Sequence, residues 1–289
     1  MFKKLLITGL GLLVSTLFIV GCAKKEGGDE SAVKYLSIKG SDTMVHLASS
    51  WAEAYMKKHS DADISVTGGG SGTGIAALLN GTTDICIASR SIKEKEIKLA
   101  QEKGIYPNEI VTSRDGIAVV VNPSNPISEL TLDQIGKIYT GAYTNWSEMG
   151  GPDESIVILS RESSSGTYVF FQEHVMQKKD YSENALLMPS TSAIIQSVSQ
   201  DAWAIGYVGL GYGLQAGDKV KMLKVKSDQD APAVTPSVAT VQDESYSIAR
   251  PLHFYTDGAI SGVTKSFIDF VLSDEGQKIV LETGYVPID

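Results

Sequence analysis

The chain has 289 residues, 43% of them hydrophobic, and a formal net charge of −9 at pH 7. That length suffices for two lobes with separate cores. The excess of 34 Asp and Glu over 25 Lys and Arg offers no basic field to gather nucleic acid, yet leaves room for a small anion held by local dipoles and hydrogen bonds.

Residues 1–21 read as a signal peptide. Lys3 and Lys4 form a basic start, and an apolar run over 5–20 precedes Gly21 and Cys22. The Ile19-Val20-Gly21-Cys22 end resembles a bacterial lipobox. That resemblance implies cleavage before Cys22, acylation of its thiol with palmitate, and a membrane attachment through lipid. The alternative is a transmembrane anchor, for which the 17 residues of 5–21 are short. Residues 22–32 then form the lipidated cysteine and a polar tether. With Cys22 acylated, Cys86 stands alone in Ile85-Cys86-Ile87-Ala88 as a small buried hydrophobe, and no disulfide is available within one chain. The four histidines are scattered with no zinc-ligand spacing, so no metal and no cofactor are expected.

Strand and helix then alternate. A strand over 35–39 turns at Gly40-Ser41-Asp42-Thr43 into a helix over 44–58, whose Val45, Ala48, Trp51, Ala52 and Tyr55 repeat at helical spacing. A strand over 64–66 leads into Gly68-Gly69-Gly70-Ser71-Gly72-Thr73-Gly74 and a helix over 75–80. A strand over 84–88 ends at Ser89-Arg90-Ser91, a helix covers 93–103, and 117–121 is a β-branched strand. Past it, the pattern gives a helix over 132–139 behind a Thr131 cap, and a strand over 156–159. A helix from Tyr168 follows Arg161-Glu162-Ser163-Ser164-Ser165-Gly166-Thr167. A helix over 192–199, a strand over 204–209, a proline-rich loop over 231–236, and helices over 263–271 and 275–283 complete the chain. Such alternation predicts an α/β fold with largely parallel sheets.

Three segments share one design. Ser41-Asp42-Thr43, Gly70-Ser71-Gly72-Thr73 and Ser165-Gly166-Thr167 each lie between a strand and a helix start. In open α/β sheets ligands gather at the carboxyl ends of the strands. There helix N–H groups, hydroxyls and close-approaching glycine backbone suit a tetrahedral oxyanion. Arg161 and Arg90 would add charge-assisted bonds. Other motif readings fail. The glycine-rich loop has no Lys for a phosphate-binding P-loop, Thr73 stands where a dinucleotide fingerprint needs Gly, and Thr73 also breaks a nucleophile elbow. No histidine lies near Ser71 or Ser165 and no paired carboxylates appear, so an enzyme is not expected.

These residues, in this order, resemble the periplasmic phosphate-binding proteins of Pst-type ABC transporters. The similarity covers Ile38 to Pro287. Its supports are Gly40-Ser-Asp-Thr-Met44, Gly68 to Gly74, Ile87-Ala-Ser-Arg90, Asp115-Gly-Ile-Ala-Val119, Leu132 to Gly141, Asn145-Trp146, Arg161 to Thr167, Ala204 to Gly209 and Arg250-Pro251-Leu252. The resemblance implies a two-lobed, type II solute-binding fold with two crossings, near 112–119 and 238–247. Lobe 1 would hold residues 33–115 and 243–289, and lobe 2 residues 116–242. It implies a monomeric receptor on the periplasmic or cell-surface side of the membrane, binding inorganic phosphate for the permease subunits of an ABC transporter.

The resemblance also implies Thr43, the Met44 backbone, Ser71, Arg161, Ser165, Gly166 and Thr167 as phosphate contacts, and Ser41 of the first hydroxyl-bearing turn is expected to join them. It makes Arg250-Pro251 core and hinge. Two positions depart from the best-known members. Arg90 and Ser163 stand where those carry aspartates, the first of which accepts the phosphate proton and repels sulfate. Asp115 is the expected replacement acceptor, with Asp42 and Glu162 as alternatives. The missing acid leaves a sulfate, molybdate or tungstate receptor as the competing function.

Overall fold

The computed structural model describes residues 33–288; the expected signal peptide, Cys22 and the tether lie outside the described residues. Chain order runs β1 (Lys34–Gly40), α1 (Asp42–Lys58), β2 (Ala62–Thr67), α2 (Ser71–Leu79), β3 (Ile85–Ala88) and α3 (Glu94–Glu102). A long strand β4 (Pro107–Val121) leads into β5 (Glu129–Thr131), α4 (Leu132–Tyr139), β6 (Val157–Arg161), α5 (Gly166–His174), β7 (Leu186–Met188), α6 (Thr191–Gln200), β8 (Ala204–Gly209) and α7 (Leu210–Ala216). After β9 (Lys221–Met222), β10 (Lys224–Lys226) and α8 (Val238–Gln242), the chain ends with β11 (Ala249–Asp257), α9 (Gly262–Val271) and α10 (Asp274–Glu282).

One sheet, ordered β2-β1-β3-β11-β4-β8-β6-β7, threads both lobes. Its ends are parallel, as the alternation of strand and helix predicts. Its middle is antiparallel, because β11 runs against β3 and β4, and β4 runs against β8. The sheet is therefore mixed rather than largely parallel. Crossing strands enter from opposite directions, and only that arrangement lets β4 leave the first lobe where β11 returns to it.

Two main cores flank this seam. Leu36, Ile38, Met44, Leu47, Trp51, Tyr55, Ile87, Leu252, Phe254 and Phe267 pack in the first. Ile117, Val119, Ile135, Trp146, Phe171, Tyr207, Val241, Tyr246 and Ile248 pack in the second. In α1 the buried stripe runs through Met44, Leu47, Ala48, Trp51, Ala52 and Tyr55, while Val45 is only half-buried. Trp51 Nε1 donates to Gly276 O at 2.8 Å and ties α1 to α10.

The first crossing lies within β4, which pairs with β11 up to Gly116 and with β8 from Ile117. The second falls at 248–252. Tyr246 and Ile248, within the 243–289 range expected for lobe 1, pack instead into the core containing Ile117, while Leu252 packs into the other. Val286 of the C-terminal tail pairs back onto Arg114, so a third segment lies against the seam.

Strand β11 is hidden from a sequence reading by Pro251, which cannot donate to a ladder. The position tolerates it because β3 flanks β11 only from His253 to Tyr255, leaving β4 as the sole neighbour at Pro251.

Candidate oxyanion site

Three helix starts meet at the seam: Ser41 caps α1, Ser71 opens α2, and Ser165 caps α5. Glycines permit this crowding. Gly40 has φ +147°, and a Cβ there would lie 2.0 Å from Ile87 O. A Cβ on Gly70, at φ +95°, would lie 2.6 Å from Ser164 O in the opposite lobe. Ser165 Oγ accepts from the N–H groups of Thr167 and Tyr168 at 3.2 and 3.4 Å, an N-cap bond pattern that opens α5.

The hydroxyls form a connected network. Ser41 Oγ donates to Ser89 Oγ at 2.8 Å, Ser89 Oγ lies 3.3 Å from Ser71 Oγ, and Ser89 N–H donates to Ser71 Oγ at 3.0 Å. Across the cleft Thr43 Oγ1 and Thr167 Oγ1 are 2.8 Å apart. Gly72 N–H donates to Ser164 O at 2.9 Å, again between lobes. Ser41, Thr43, Ser71, Ser89, Ser165 and Thr167 are all buried. A Cβ on Gly166 would lie 2.3 Å from Ser71 Oγ and 2.7 Å from Ser89 Oγ, so the start of α5 sits directly on the serines of the first lobe.

Three arginines adjoin this network, each with a carboxylate. Arg161 ends β6 and reaches across to Asp42 Oδ2 at 2.6 Å. Its remaining bonds go to Met188 O, Pro189 O and Thr191 Oγ1. Arg250 Nη2 bridges Asp115 Oδ2 at 3.1 Å and Thr167 Oγ1 at 2.9 Å, while Nη1 donates to Ser89 O at 2.8 Å. Asp115 Oδ1 also accepts from Leu210 N–H at 3.1 Å. Arg90 turns away: both terminal nitrogens bond to Glu96 at 2.8 Å, in a bidentate pair.

Burial pushes the Asp115 carboxyl above its ordinary range, opposed by the Arg250 charge and the hydrogen bonds from Arg250 and Leu210. Burial likewise lowers Arg250, with Asp115 acting against it. Burial also works to raise Glu96, but bonds from Arg90 and the Lys93 backbone, with their charges, leave it below the usual carboxylate value.

Of the residues singled out from sequence, Ser41, Thr43, Ser71, Ser165, Gly166 and Thr167 come together, with Arg161 and Asp115 at the border. Met44 is buried, but its N–H donates to Ser41 O at 3.0 Å within its own turn. The Arg90 head is held by Glu96, and Glu162 and Ser163 are exposed. Ser89 and Arg250 belong to the network without having been singled out as contacts. Ser89 follows the apolar β3 as an ordinary strand end, and Arg250-Pro251 carries no helix-start signature, so local pattern gave neither away.

Among the described residues no helix is long and apolar enough to cross a membrane, and no cluster of His, Cys, Asp and Glu has metal-binding geometry.

The family model of the PBP superfamily domain matches residues 26–275. Over 292 residues the chain is 36% identical to the phosphate-binding protein PstS of Staphylococcus aureus (strain USA300), covering 98% of this chain and 88% of that protein. A proposed phosphate ABC transporter substrate-binding protein from Clostridium perfringens, solved with bound phosphate, superposes with a TM-score of 0.80 at 34% identity, over 89% of this chain and 100% of that one. An ABC-type phosphate transport receptor from Vibrio cholerae gives a TM-score of 0.68 at 30% identity, over 87% and 99% of the two chains. With that identity spread along nearly its whole length, and with the two-lobed fold shared, the chain belongs to the PBP superfamily and, within it, to the family of the phosphate-binding protein PstS.

Proposed function

We propose that the protein is an extracytoplasmic receptor that binds inorganic phosphate between its lobes and delivers it to the permease subunits of an ABC transporter. The observation that carries this reading is the Thr43–Thr167 contact, which joins helix starts from opposite lobes at 2.8 Å. A tetrahedral oxyanion offers acceptors to these hydroxyls and to those of Ser41, Ser71 and Ser165, with the Met44 backbone and Gly166 beside them. The positive ends of α1, α2 and α5 supply charge without a net cationic field. Arg161, fixed by Asp42, adds a guanidinium from the second lobe. The protein captures and releases its ligand and performs no turnover. Lobe 1 comprises 33–115 and the C-terminal part of the chain from about 249, and lobe 2 comprises 116–248, with the seam residues shared.

Asp115 serves as the acceptor for a phosphate proton. A carboxylate with bonds from Arg250 and Leu210 keeps lone pairs to spare, and a fully ionised sulfate has no proton to give them. Arg90 stands outside this set because Glu96 neutralises it.

Calorimetry on the soluble form lacking residues 1–22 tests the reading. Phosphate and arsenate should bind tightly, with sulfate and molybdate weaker by a factor on the order of 10² or more, the discrimination expected when a buried acceptor faces an aprotic anion. Equal binding of sulfate, or preference for molybdate or tungstate, would move the assignment to another oxyanion. Attachment rests on Cys22: labelled palmitate should enter the parent and be absent from Cys22→Ala. Elution of the soluble form at monomer size checks the oligomeric state.

A further inference from the structure

We infer that Arg250 is a second cation of the anion site, presented to the ligand by the crossing strands rather than by either lobe. This rests on the phosphate reading above. Arg250 is 2% exposed and Asp115 0%, and the β11–β4 register makes them direct Cα partners. A guanidinium placed in this way is fixed by a sheet ladder that both lobes share.

Its bonds aim it at the network. Nη2 donates to Thr167 Oγ1, the hydroxyl that meets Thr43 across the cleft, and Nη1 donates to the carbonyl of Ser89, whose hydroxyl joins Ser41 and Ser71. The two halves of the hydroxyl network are thus linked through Arg250. Its Nε is buried and has no partner, an orphaned donor on a cationic side chain. Arg161, by contrast, has bonds from Nε, Nη1 and Nη2 to four acceptors of its own chain. On its other side Arg250 lines a separate cavity of about 380 Å³ with Arg90, Phe170 and His253, none of the network hydroxyls among its lining, and its guanidinium lies 5.4 Å from the Phe170 ring centre. A buried cation with an unspent donor, beside three converging hydroxyl-bearing helix starts, suits a doubly charged tetrahedral oxyanion.

The obvious truncation strands Asp115 as a lone buried charge and endangers folding. The test therefore uses Arg250→Lys and the double variant Arg250→Gln/Asp115→Asn, which removes both charges and keeps hydrogen-bonding groups. Phosphate affinity is measured by calorimetry, and thermal midpoints are taken with and without phosphate. Arg250→Lys should weaken phosphate at least tenfold. The double variant should weaken it at least thirtyfold, keep a cooperative phosphate-free transition, and lose most of the midpoint increase that phosphate gives the parent. A double variant that binds within threefold of a phosphate-binding parent overturns the role of Arg250 and leaves the phosphate reading intact. A parent that does not bind phosphate overturns both.

Discussion

At Gly166 a single methyl group would bear directly on ligand capture. A Cβ there would lie 2.3 Å from Ser71 Oγ and 3.0 Å from Ser71 Cβ, and those atoms belong to the opposite lobe. The clash therefore penalises the closed arrangement alone. Gly166→Ala should weaken phosphate binding at least tenfold, about 1.4 kcal/mol, while leaving the phosphate-free thermal midpoint nearly unchanged. Arg161 carries a different risk. Its loss leaves Asp42 and the carbonyls of Met188 and Pro189 without their donor, and breaking a buried charge pair from one side costs roughly 2–5 kcal/mol. Arg161→Ala should weaken phosphate by a factor on the order of 10² or more, read by calorimetry.

His253, 3% exposed, adds a pH effect. Burial holds it below its ordinary value of 6.5, with Arg250 also lowering it and Glu109, whose Oε1 is 2.7 Å from Nδ1, opposing. The folded state thus binds this proton less readily than the unfolded chain. That contribution to stability is present above pH 6.5 and is lost as pH falls below it, with a slope of at most about 1.4 kcal/mol per pH unit. His253→Gln should flatten the decline in thermal midpoint between pH 7 and pH 5. A decline as steep as the parent's would assign the effect to other groups.

At the level of elements, caps decide where helices begin, and some of them lie far from the ligand. Thr131 Oγ1 accepts from Gln134 N–H at 3.1 Å, and Gln134 Oε1 accepts from Thr131 N–H at 2.8 Å, closing a capping box at the start of α4. Thr131→Ala should cost about 1 kcal/mol in denaturant unfolding and leave phosphate affinity within twofold. Ser165 is also a cap, but one inside the site, so Ser165→Ala should lower both stability and affinity. The packing of α6 on β8 depends on Gly206, where a Cβ would lie 2.4 Å from Ile194 Cγ2. Helix and strand press together there because the glycine has no side chain, a fact that apolar alternation over 204–209 does not convey.

On the scale of the whole molecule, the two main cores are joined through β4, β11 and the tail at Val286. The lobes are further tied by the Asp42–Arg161 pair, the Gly72–Ser164 bond and the Thr43–Thr167 contact. A ligand that takes up these donors from both sides favours the closed arrangement. Small-angle scattering should give a larger radius of gyration without phosphate than with it, the bound form approaching the roughly 18 Å expected of a compact chain of this size. An identical radius in both states would remove lobe closure from the mechanism.

The helix-start clusters were legible in the sequence because their signal is local. Ser41-Asp42-Thr43, Gly68 to Gly74 and Ser165-Gly166-Thr167 each combine small, flexible and hydroxyl-bearing residues between a strand and a helix, a pattern readable within a few positions. The alternation of elements, and with it the α/β class, was legible for the same reason. Only the tertiary structure decided which charges meet. Arg250 and Asp115 are 135 positions apart, and their pairing depends on the β4–β11 register, which long-range packing sets. Arg161 finds Asp42 across 119 positions, whereas Arg90 finds Glu96 only six residues on. A sequence shows that an arginine is near a glycine-rich turn, but the direction of its guanidinium depends on which carboxylate the folded backbone brings within reach.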